Sequence, residues 1–140
     1  MIILDTNVLS ELMRDRPSTE VTAWFRKHPL TDLYTTAITE AEIFHGIELL
    51  SRSARRTRLL EAAEALFAID LKDRVLGFSS EAARFFAMIA AQRTLLGRPI
   101  SYADAQIAAI ARVHRTKLAT RNVADFRDCE VEIVNPWIAT

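Results

Sequence analysis

Short apolar runs of strand type alternate along this chain with longer segments of helical periodicity. The first run is Ile2-Ile3-Leu4, and the later segment Leu33-Tyr34-Thr35-Thr36 is rich in the β-branched and aromatic residues that strands favour. Strands that are separated by helices usually pair in parallel, and a parallel sheet is covered by helices on both faces. The alternation therefore predicts an α/β fold, a three-layer α/β/α sandwich with a mostly parallel central sheet.

Local start and stop signals place the remaining elements. Ser79 and Ser101 are of the type that caps helix N-termini, and Gly97, with Pro99 two residues later, ends the helix between them. At 140 residues the chain fits one domain, which buries roughly 68% of the surface that the unfolded chain exposes. We predict a single domain over residues 1–140, with two short helices before residue 28, further helices at residues 39–50, 53–67, 79–96 and 101–114, and further strands at 69–71, 118–120 and 131–134.

Opposite charges balance, with 18 Lys and Arg residues against 18 Asp and Glu residues. Bulk electrostatics therefore gives no argument for a nucleic-acid partner, and any attraction has to be local. The longest apolar run, residues 85–91, is far shorter than the ~20 residues of a membrane span, and the N-terminus lacks the basic region of a signal peptide. Cys129 is the one cysteine, which suits a reducing compartment. We expect a cytoplasmic protein without membrane association.

An acid, Asp5, follows the first strand directly. In an open parallel sheet, ligands bind outside the carboxyl ends of the strands, which is where Asp5 would lie. Asp125 follows the strand at 118–120 by way of a turn-prone segment, so that it is expected at the same edge. Asp5 has a second interpretation, as the N-cap of a helix that begins near Asn7.

Two other acids each lie three residues after a possible capping residue. Glu42 follows Thr39, and Asp104 follows Ser101. In a capping box, an acid at this position bonds back to the backbone N–H of the cap and has no other role. Asn122 and Asp125 fit the same spacing loosely. From these residues alone, a shared acidic site and separate helix caps both remain open.

Four motifs, in order, are similar to those of the PIN-domain nucleases, in particular the VapC-type toxin ribonucleases and their FitB-like branch. Residues 1–12 (MIILDTNVLSEL) resemble the opening motif, and residues 39–46 (TEAEIFHG) resemble the second, a Glu with a Gly four residues later. Residues 101–109 (SYADAQIAA) and 120–126 (TRNVADF) resemble the third and fourth. The resemblance implies a PIN-like sandwich over nearly the whole chain. It also implies an acidic site of Asp5, Glu42, Asp104 and Asp125 with the polar supports Thr6, Asn7, Thr120 and Asn122.

The second motif contains two acids, Glu40 and Glu42, which cannot share a helical face. Gly46 favours Glu42, because Gly inside a helix costs about 1 kcal/mol relative to Ala and lies one turn after Glu42 on the same face. A close approach of another molecule would explain this glycine. A purely packing role for Gly46 is the alternative.

Crowded carboxylates raise one another's proton affinity, and a divalent cation relieves the conflict. Oxygen ligands favour Mg²⁺ or Mn²⁺, so the resemblance implies one or two such ions. Asp5 and Asp104 are expected as the most direct ligands, with Glu42 and Asp125 acting partly through water. The implied activity is that of a metal-dependent endoribonuclease, which hydrolyses RNA phosphodiesters as the toxin of a type II toxin–antitoxin system.

The resemblance further implies three partners: an RNA substrate, a cognate antitoxin and a second copy of the chain in a homodimer. The alternatives are a structure-specific DNA nuclease and a catalytically silent PIN-fold binding module. Histidine spacing does not suggest a zinc site. Local attraction of RNA is assigned to Arg14, Arg16, Arg112, Arg115, Lys117 and Arg121, the run Arg52, Arg55, Arg56 and Arg58 to a solvated face or a partner, and Trp24, Phe85, Phe86 and Tyr102 to the core or an interface.

Overall fold

The computed structural model describes residues 1–138 and contains five short parallel strands. Their order across the sheet is β3-β2-β1-β4-β5. Six α-helices cover the sheet, which confirms the predicted α/β/α sandwich. The strands are β1 (Ile2–Leu4), β2 (Leu33–Thr36), β3 (Val75–Leu76), β4 (Lys117–Ala119) and β5 (Ile133–Val134), and the helices are α1 (Thr6–Leu12), α2 (Thr19–Arg26), α3 (Ala37–Glu48), α4 (Ala54–Ala65), α5 (Ser80–Leu95) and α6 (Tyr102–Val113).

The two faces of the sheet carry two apolar cores. Because successive strand residues point to opposite faces, Ile3 packs toward α5 and α6, whereas Leu4 packs with residues of α1 to α4. Ile3 is fully buried and pairs with Tyr34 of β2 on one side and Leu118 of β4 on the other. β1 therefore has a paired strand on each side and an apolar core on each face. Asp5 follows directly at the end of this buried strand.

Helix starts agree with the capping signals in the sequence. The side chains of Ser18, Ser53, Ser79 and Ser101 each accept a hydrogen bond from a backbone N–H in the first turn of the helix that follows. Gly97, at a φ of 73°, lies just past the end of α5, where a left-handed residue is favourable. Among the helices of residues 1–138, none combines the length and the apolar character that crossing a membrane requires.

Two predicted boundaries are wrong. Residues 69–71 do not form a strand, because α4 continues through a wide π-helical turn (Leu66–Asp70) and the strand comes later, at Val75–Leu76. The turn buries Phe67 and Leu71 and leaves Ile69 exposed. The buried residues of this segment are therefore spaced as in a helix and do not alternate as in a strand. α3 begins at Ala37 rather than near Thr39, and this earlier start changes the role of Glu42.

The strand order creates a crevice beside β1. After β1 the chain builds β2 and β3 on one side, and later returns to place β4 and β5 on the other. Such a reversal of strand order leaves an opening at the carboxyl ends of the two central strands, where open α/β sheets bind their ligands. Asp5 N donates to Ala119 O at 2.9 Å across this opening, which brings the ends of β1 and β4 together.

Candidate active site

Asp5 lies at the carboxyl end of β1 and is only 4% exposed. Its Oδ1 accepts a hydrogen bond from Thr6 N at 2.8 Å, and its Oδ2 accepts from Thr120 Oγ1 at 2.7 Å and from Asn7 Nδ2 at 3.1 Å. Asp5 is thus the N-cap of α1 and also a buried acid at the sheet edge. The capping interpretation is therefore confirmed, and Asp5 also lies at the sheet edge where the sequence predicts a ligand site.

All hydrogen-bond donors to Asp5 are neutral. Within residues 1–138, no Lys, Arg or His forms an ion pair with this carboxylate. Burial raises the pKa of Asp5 above its ordinary value and the charge of Glu42 adds to the rise, while the hydrogen bonds oppose it. The three donors orient the carboxylate but leave its negative charge without a cation.

A polar network fixes the loop after β4 to the start of α1. Besides holding Asp5, Asn7 Nδ2 lies 3.1 Å from Thr120 Oγ1, and Asn7 Oδ1 accepts from Arg121 N at 3.0 Å. Thr120 Oγ1 also accepts from Asn122 N at 3.1 Å. Asn7 and Thr120 therefore contact Asp5 directly, and Asn122 contributes only its backbone.

Glu42 lies beside this network and is not a capping residue. The N-cap of α3 is Thr36, whose Oγ1 accepts from Thr39 N at 3.1 Å, so Glu42 falls in the second turn and the predicted capping box from Thr39 is wrong. Thr6 Oγ1 donates to Glu42 Oε1 at 2.7 Å. Glu40 takes the acidic place in the first turn of α3. A hydrogen bond from the residue next to Asp5 thus positions Glu42.

Asp104 faces the other three acids from the first turn of α6. Its backbone N–H donates to Ser101 Oγ at 3.1 Å, so Ser101 is the predicted helix cap. Burial and the charge of Asp5 raise the pKa of Asp104 to about 6, and the charges of Asp125 and Glu42 add to that rise. The charges of the other three acids thus all act on the carboxyl group of Asp104.

Asp125 comes from an exposed single turn of 3₁₀-helix (Val123–Phe126) after β4. The side chain of Asn122 gives this turn no cap hydrogen bond, so the looser capping interpretation does not hold. The structure therefore brings Asp5, Glu42 and Asp104 to one sheet edge, and Asp125 lies near enough to act on Asp104.

The four acids offer only oxygen ligands, which a hard divalent cation prefers. In the part of the chain that the structure describes, no three Asp, Glu, His or Cys side chains are disposed to hold a metal ion together. Mg²⁺ commonly takes only one or two carboxylates and fills its remaining positions with water. The uncompensated charges of Asp5 and Asp104 fit that mode of binding, and a metal remains a prediction.

Arg93 of α5 is a site residue that the sequence did not reveal. It is 5% exposed, and its guanidinium donates to Asp125 O at 2.8 Å and Arg127 O at 3.0 Å, and to Arg98 O at 2.7 Å. Arg93 lies four residues after Ile89, so both residues are on the buried face of α5. This spacing is the one signal in the sequence that Arg93 is buried. Arg93 ties the turn that carries Asp125 to the core.

The basic residues that were predicted to attract RNA lie in two separate parts of the molecule. Arg14 and Arg16 line a groove next to Thr6 and Glu42, as expected. Arg55 and Arg58 are exposed, as the assignment to a solvated face or a partner predicts, and they line the same groove. Lys117 instead lies at the amino-terminal end of β4, where it is paired with Ile2 of β1. There, with Arg112 and Arg115, it lines a separate cavity of about 630 Å³ that also contains Glu130 and Glu132.

Arg112 pairs with Glu130 at 3.1 Å, and Lys117 lies 3.7 Å from Glu132. The cavity at that end of β4 is thus largely neutralised and distant from the acids. Among the aromatic residues assigned to the core or an interface, Tyr102 is 78% exposed and so is not part of the core. Arg121, in contrast, is at the predicted edge, with its guanidinium 5.1 Å from the ring centre of Trp137.

Comparisons with known proteins agree with this geometry. The model of the family described as "PIN domain" matches residues 2–130. VapC ribonuclease Y4jK of Sinorhizobium fredii is 39% identical over 137 residues, covering 98% of each chain, and toxin FitB of Neisseria gonorrhoeae is 37% identical over 137 residues, covering 98% of this chain and 99% of FitB. The structure of FitAB bound to an IR36 DNA fragment superimposes with a TM-score of 0.92 at 36% identity, covering 100% of this chain and 98% of that one.

Proposed function

This chain belongs to the PIN domain family, and from that premise we propose that it is a metal-dependent endoribonuclease, the toxin of a type II toxin–antitoxin pair. Two relatives of nearly the same length, one named a ribonuclease and the other a toxin, support the activity and the role. We propose the cytoplasm as its location, because an RNA substrate would be met there.

One observation carries the proposal: neutral donors orient the buried carboxylate of Asp5, and no basic side chain within residues 1–138 pairs with it. A purely structural buried acid is normally paired with a positive group, because an isolated buried charge is costly. Asp5 has three fixed hydrogen bonds and lies beside Asp104, whose pKa is raised to about 6. Orientation without neutralisation is what a binding site for a divalent cation requires.

Each residue has a role in this proposal. Asp5 and Asp104 would hold Mg²⁺ or Mn²⁺ most directly, with Glu42 and Asp125 reached partly through water, and the proposal is for one ion or two. A bound ion of this kind lowers the pKa of a water molecule and neutralises charge on the phosphodiester. Thr120 and Asn7 orient Asp5, Thr6 orients Glu42, and the exposed carboxylate of Asp125 is available to accept a proton from the attacking water.

A comparison of nucleic acids and variants tests the activity. We expect the purified chain to cleave single-stranded RNA with Mg²⁺ and not single-stranded DNA, and Asp5→Asn and Asp104→Asn to lose roughly 10²-fold or more in rate, as loss of a charge-stabilising group commonly does. Asp32→Asn, a change of the same kind at an exposed turn, is the matched control. Cleavage of RNA by the Asn variants at the parent rate would falsify the catalytic assignment, and cleavage of DNA would favour the DNA-nuclease alternative.

Partners are proposed on the same basis. The solved structures similar to this chain include FitAB and a toxin–antitoxin complex from Klebsiella pneumoniae, the latter at 24% identity with a TM-score of 0.71. We propose that a cognate antitoxin binds this chain and that two copies form a homodimer. Co-expression with a candidate antitoxin, followed by size-exclusion chromatography with light scattering, gives both stoichiometries.

A further inference from the structure

Gly46 lies in the middle of α3, one turn after Glu42, and no contact among residues 1–138 explains it. A glycine weakens a helix interior relative to Ala, so an internal reason is expected where one occurs. Gly46 does not need a positive φ. Within residues 1–138, the glycine with a positive φ is Gly97. A Cβ atom added at Gly46 would meet no atom of its surroundings within 4 Å. The packing alternative is therefore wrong, and the missing side chain leaves space for something outside the chain.

That space is part of a groove formed by α1, α3 and α4, with a volume of about 880 Å³. Ligand sites commonly have volumes of roughly 300–1,000 Å³. Thr6 and Glu42 belong both to this groove and to the acidic site, so the two are continuous. Gly46 lies about 6 Å further along α3 than Glu42, at a rise of ~1.5 Å per residue. The groove thus begins at the acids and passes over the glycine.

Positive charge is concentrated along the groove, although the chain as a whole is neutral. The lining contains four arginines and two acids. Glu11 engages Arg14 at 3.1 Å, whereas Arg16, Arg55 and Arg58 form no ion pair within residues 1–138. Arg56 of the same helix is absent from the lining and pairs with Glu48 at 3.1 Å. Within α4, the two arginines that form no ion pair, Arg55 and Arg58, line the groove, and the paired Arg56 does not.

We propose that this groove holds the RNA strand beside the scissile phosphate, with backbone phosphates at Arg55 and Arg58 and the sugar–phosphate chain passing close over Gly46. The inference rests on the proposed function and gives the substrate a path away from the acids. Arginines bind phosphate through paired N–H donors, and such contacts position a strand without reading its sequence. A polyanion fits this charge, and the backbone of α3 is open to it because Gly46 has no side chain.

Substitution at Gly46 separates this role from a structural one. Gly46→Ala should raise the melting temperature by about 3 °C, because Ala favours the helix and meets no clash, and yet weaken RNA binding about threefold. Gly46→Leu should weaken RNA binding about tenfold or more by filling the groove. Affinity is measured by fluorescence anisotropy on a short labelled single-stranded RNA of mixed sequence, with the full chain in EDTA so that no cleavage occurs. Ala65→Leu, an exposed enlargement on α4 outside the groove, is the size control.

The arginines are tested by their dependence on salt. Each phosphate contact to a single strand contributes about 0.7 to the slope of log Kd against log salt concentration, so the Arg55→Ala, Arg58→Ala double variant should lose about 1.4 of that slope. In cleavage assays with Mg²⁺ its KM should rise while kcat stays near the parent value. Arg52→Ala removes a neighbouring exposed charge outside the groove lining and should change neither quantity.

Failure of this inference is distinct from failure of the proposed function. If Gly46→Leu and the double arginine variant bind RNA with the parent Kd and salt slope, the groove does not hold RNA and its occupant is a protein, whether or not the parent cleaves. If the parent binds RNA through the groove and cleaves none, the inference stands and the nuclease activity fails. A parent that binds no RNA overturns both.

Discussion

Asp104 carries a raised pKa that makes the acidic site visible in the stability of the protein. Burial and the charge of Asp5 move its pKa from 3.8 to about 6. Between those values the folded chain holds a proton that the unfolded chain releases, so this group's contribution to stability falls as the pH rises through that window. Above pH 6, without metal, the ionised carboxylate destabilises the fold.

Asp104→Asn removes that ionisation. In EDTA at pH 8 we expect the variant to exceed the parent in free energy of unfolding by about 1 kcal/mol, a value discounted for the partial exposure of Asp104 to solvent. The difference should vanish near pH 4, where the parent residue is protonated in the folded state. Urea unfolding at the two pH values measures it. An Asn variant that is less stable than the parent at pH 8 would show that Asp104 acts chiefly as a helix-terminal charge.

At the scale of residues, the sequence located the four acids but not the role of each. The error at Glu42 has a physical origin, because Thr36 and Thr39 are both suitable caps for α3. Which of them caps the helix depends on where β2 ends, and that is set by the pairing of Thr36 with Leu76 of β3. Two strands that lie far apart in the sequence therefore decide a choice that no local pattern records.

At the scale of elements, Arg93 connects α5 to the turn that carries Asp125. Its guanidinium satisfies the carbonyl groups of Asp125, Arg127 and Arg98 and, in the part of the chain that the structure describes, has no acidic partner. Backbone carbonyls of surface loops usually accept hydrogen bonds from water. A buried guanidinium that donates to three such carbonyls is therefore a specific arrangement. It restrains the exposed 3₁₀ turn that carries Asp125.

Arg93→Met should lower the free energy of unfolding by about 2–3 kcal/mol, because three backbone carbonyls lose the buried guanidinium that donates to them. Its kcat for RNA should fall as well, since the Asp125 turn is no longer held. Arg84→Met, at an exposed position of α5, is the control and should be close to neutral. Chemical unfolding and single-turnover cleavage measure the two effects. Parent-like kcat in a folded Arg93→Met protein would separate the turn from catalysis.

Helix periodicity could not have revealed Arg93 or the groove arginines. The positions of Arg55, Arg56 and Arg58 are exposed or half-exposed in any isolated α4, and the packing of α4 against α3 decides which of them face the groove. Arg56 is held against the end of α3 by Glu48 and by Ile47 O, to which its Nε donates at 3.3 Å. A sequence gives the face of a helix that meets the core, but the neighbours of its polar face come from tertiary packing.

For the whole molecule, the alternation of strands and helices was sufficient to predict a covered parallel sheet, and it was not sufficient to order the strands. Nothing local records that β4 joins the opposite side of β1 from β2. That choice creates the crevice and brings Thr120, more than a hundred residues away in the chain, within 2.7 Å of Asp5. The resemblance between motifs anticipated this proximity, whereas composition and periodicity did not.

The metal-free molecule is expected to be less stable than the metal-bound one, because the folded state concentrates acidic charge that the unfolded state disperses. A ligand that binds only the folded state adds about 2.7 kcal/mol at a hundred times its Kd. We therefore expect saturating Mg²⁺ to raise the melting temperature of the EDTA-treated parent by several degrees. NaCl at the same ionic strength is the control for screening.

Asp5→Asn provides the decisive comparison. Asn retains the capping role at the start of α1 but removes the charge, so the variant should respond to Mg²⁺ much less than the parent does. In EDTA, relief of repulsion from Glu42 and loss of the burial penalty should leave it as stable as the parent or more so. Differential scanning calorimetry on both proteins, with and without Mg²⁺, gives all four melting temperatures. Equal Mg²⁺ shifts in parent and variant would place the cation elsewhere, since a site anchored by Asp5 has to lose affinity with that charge.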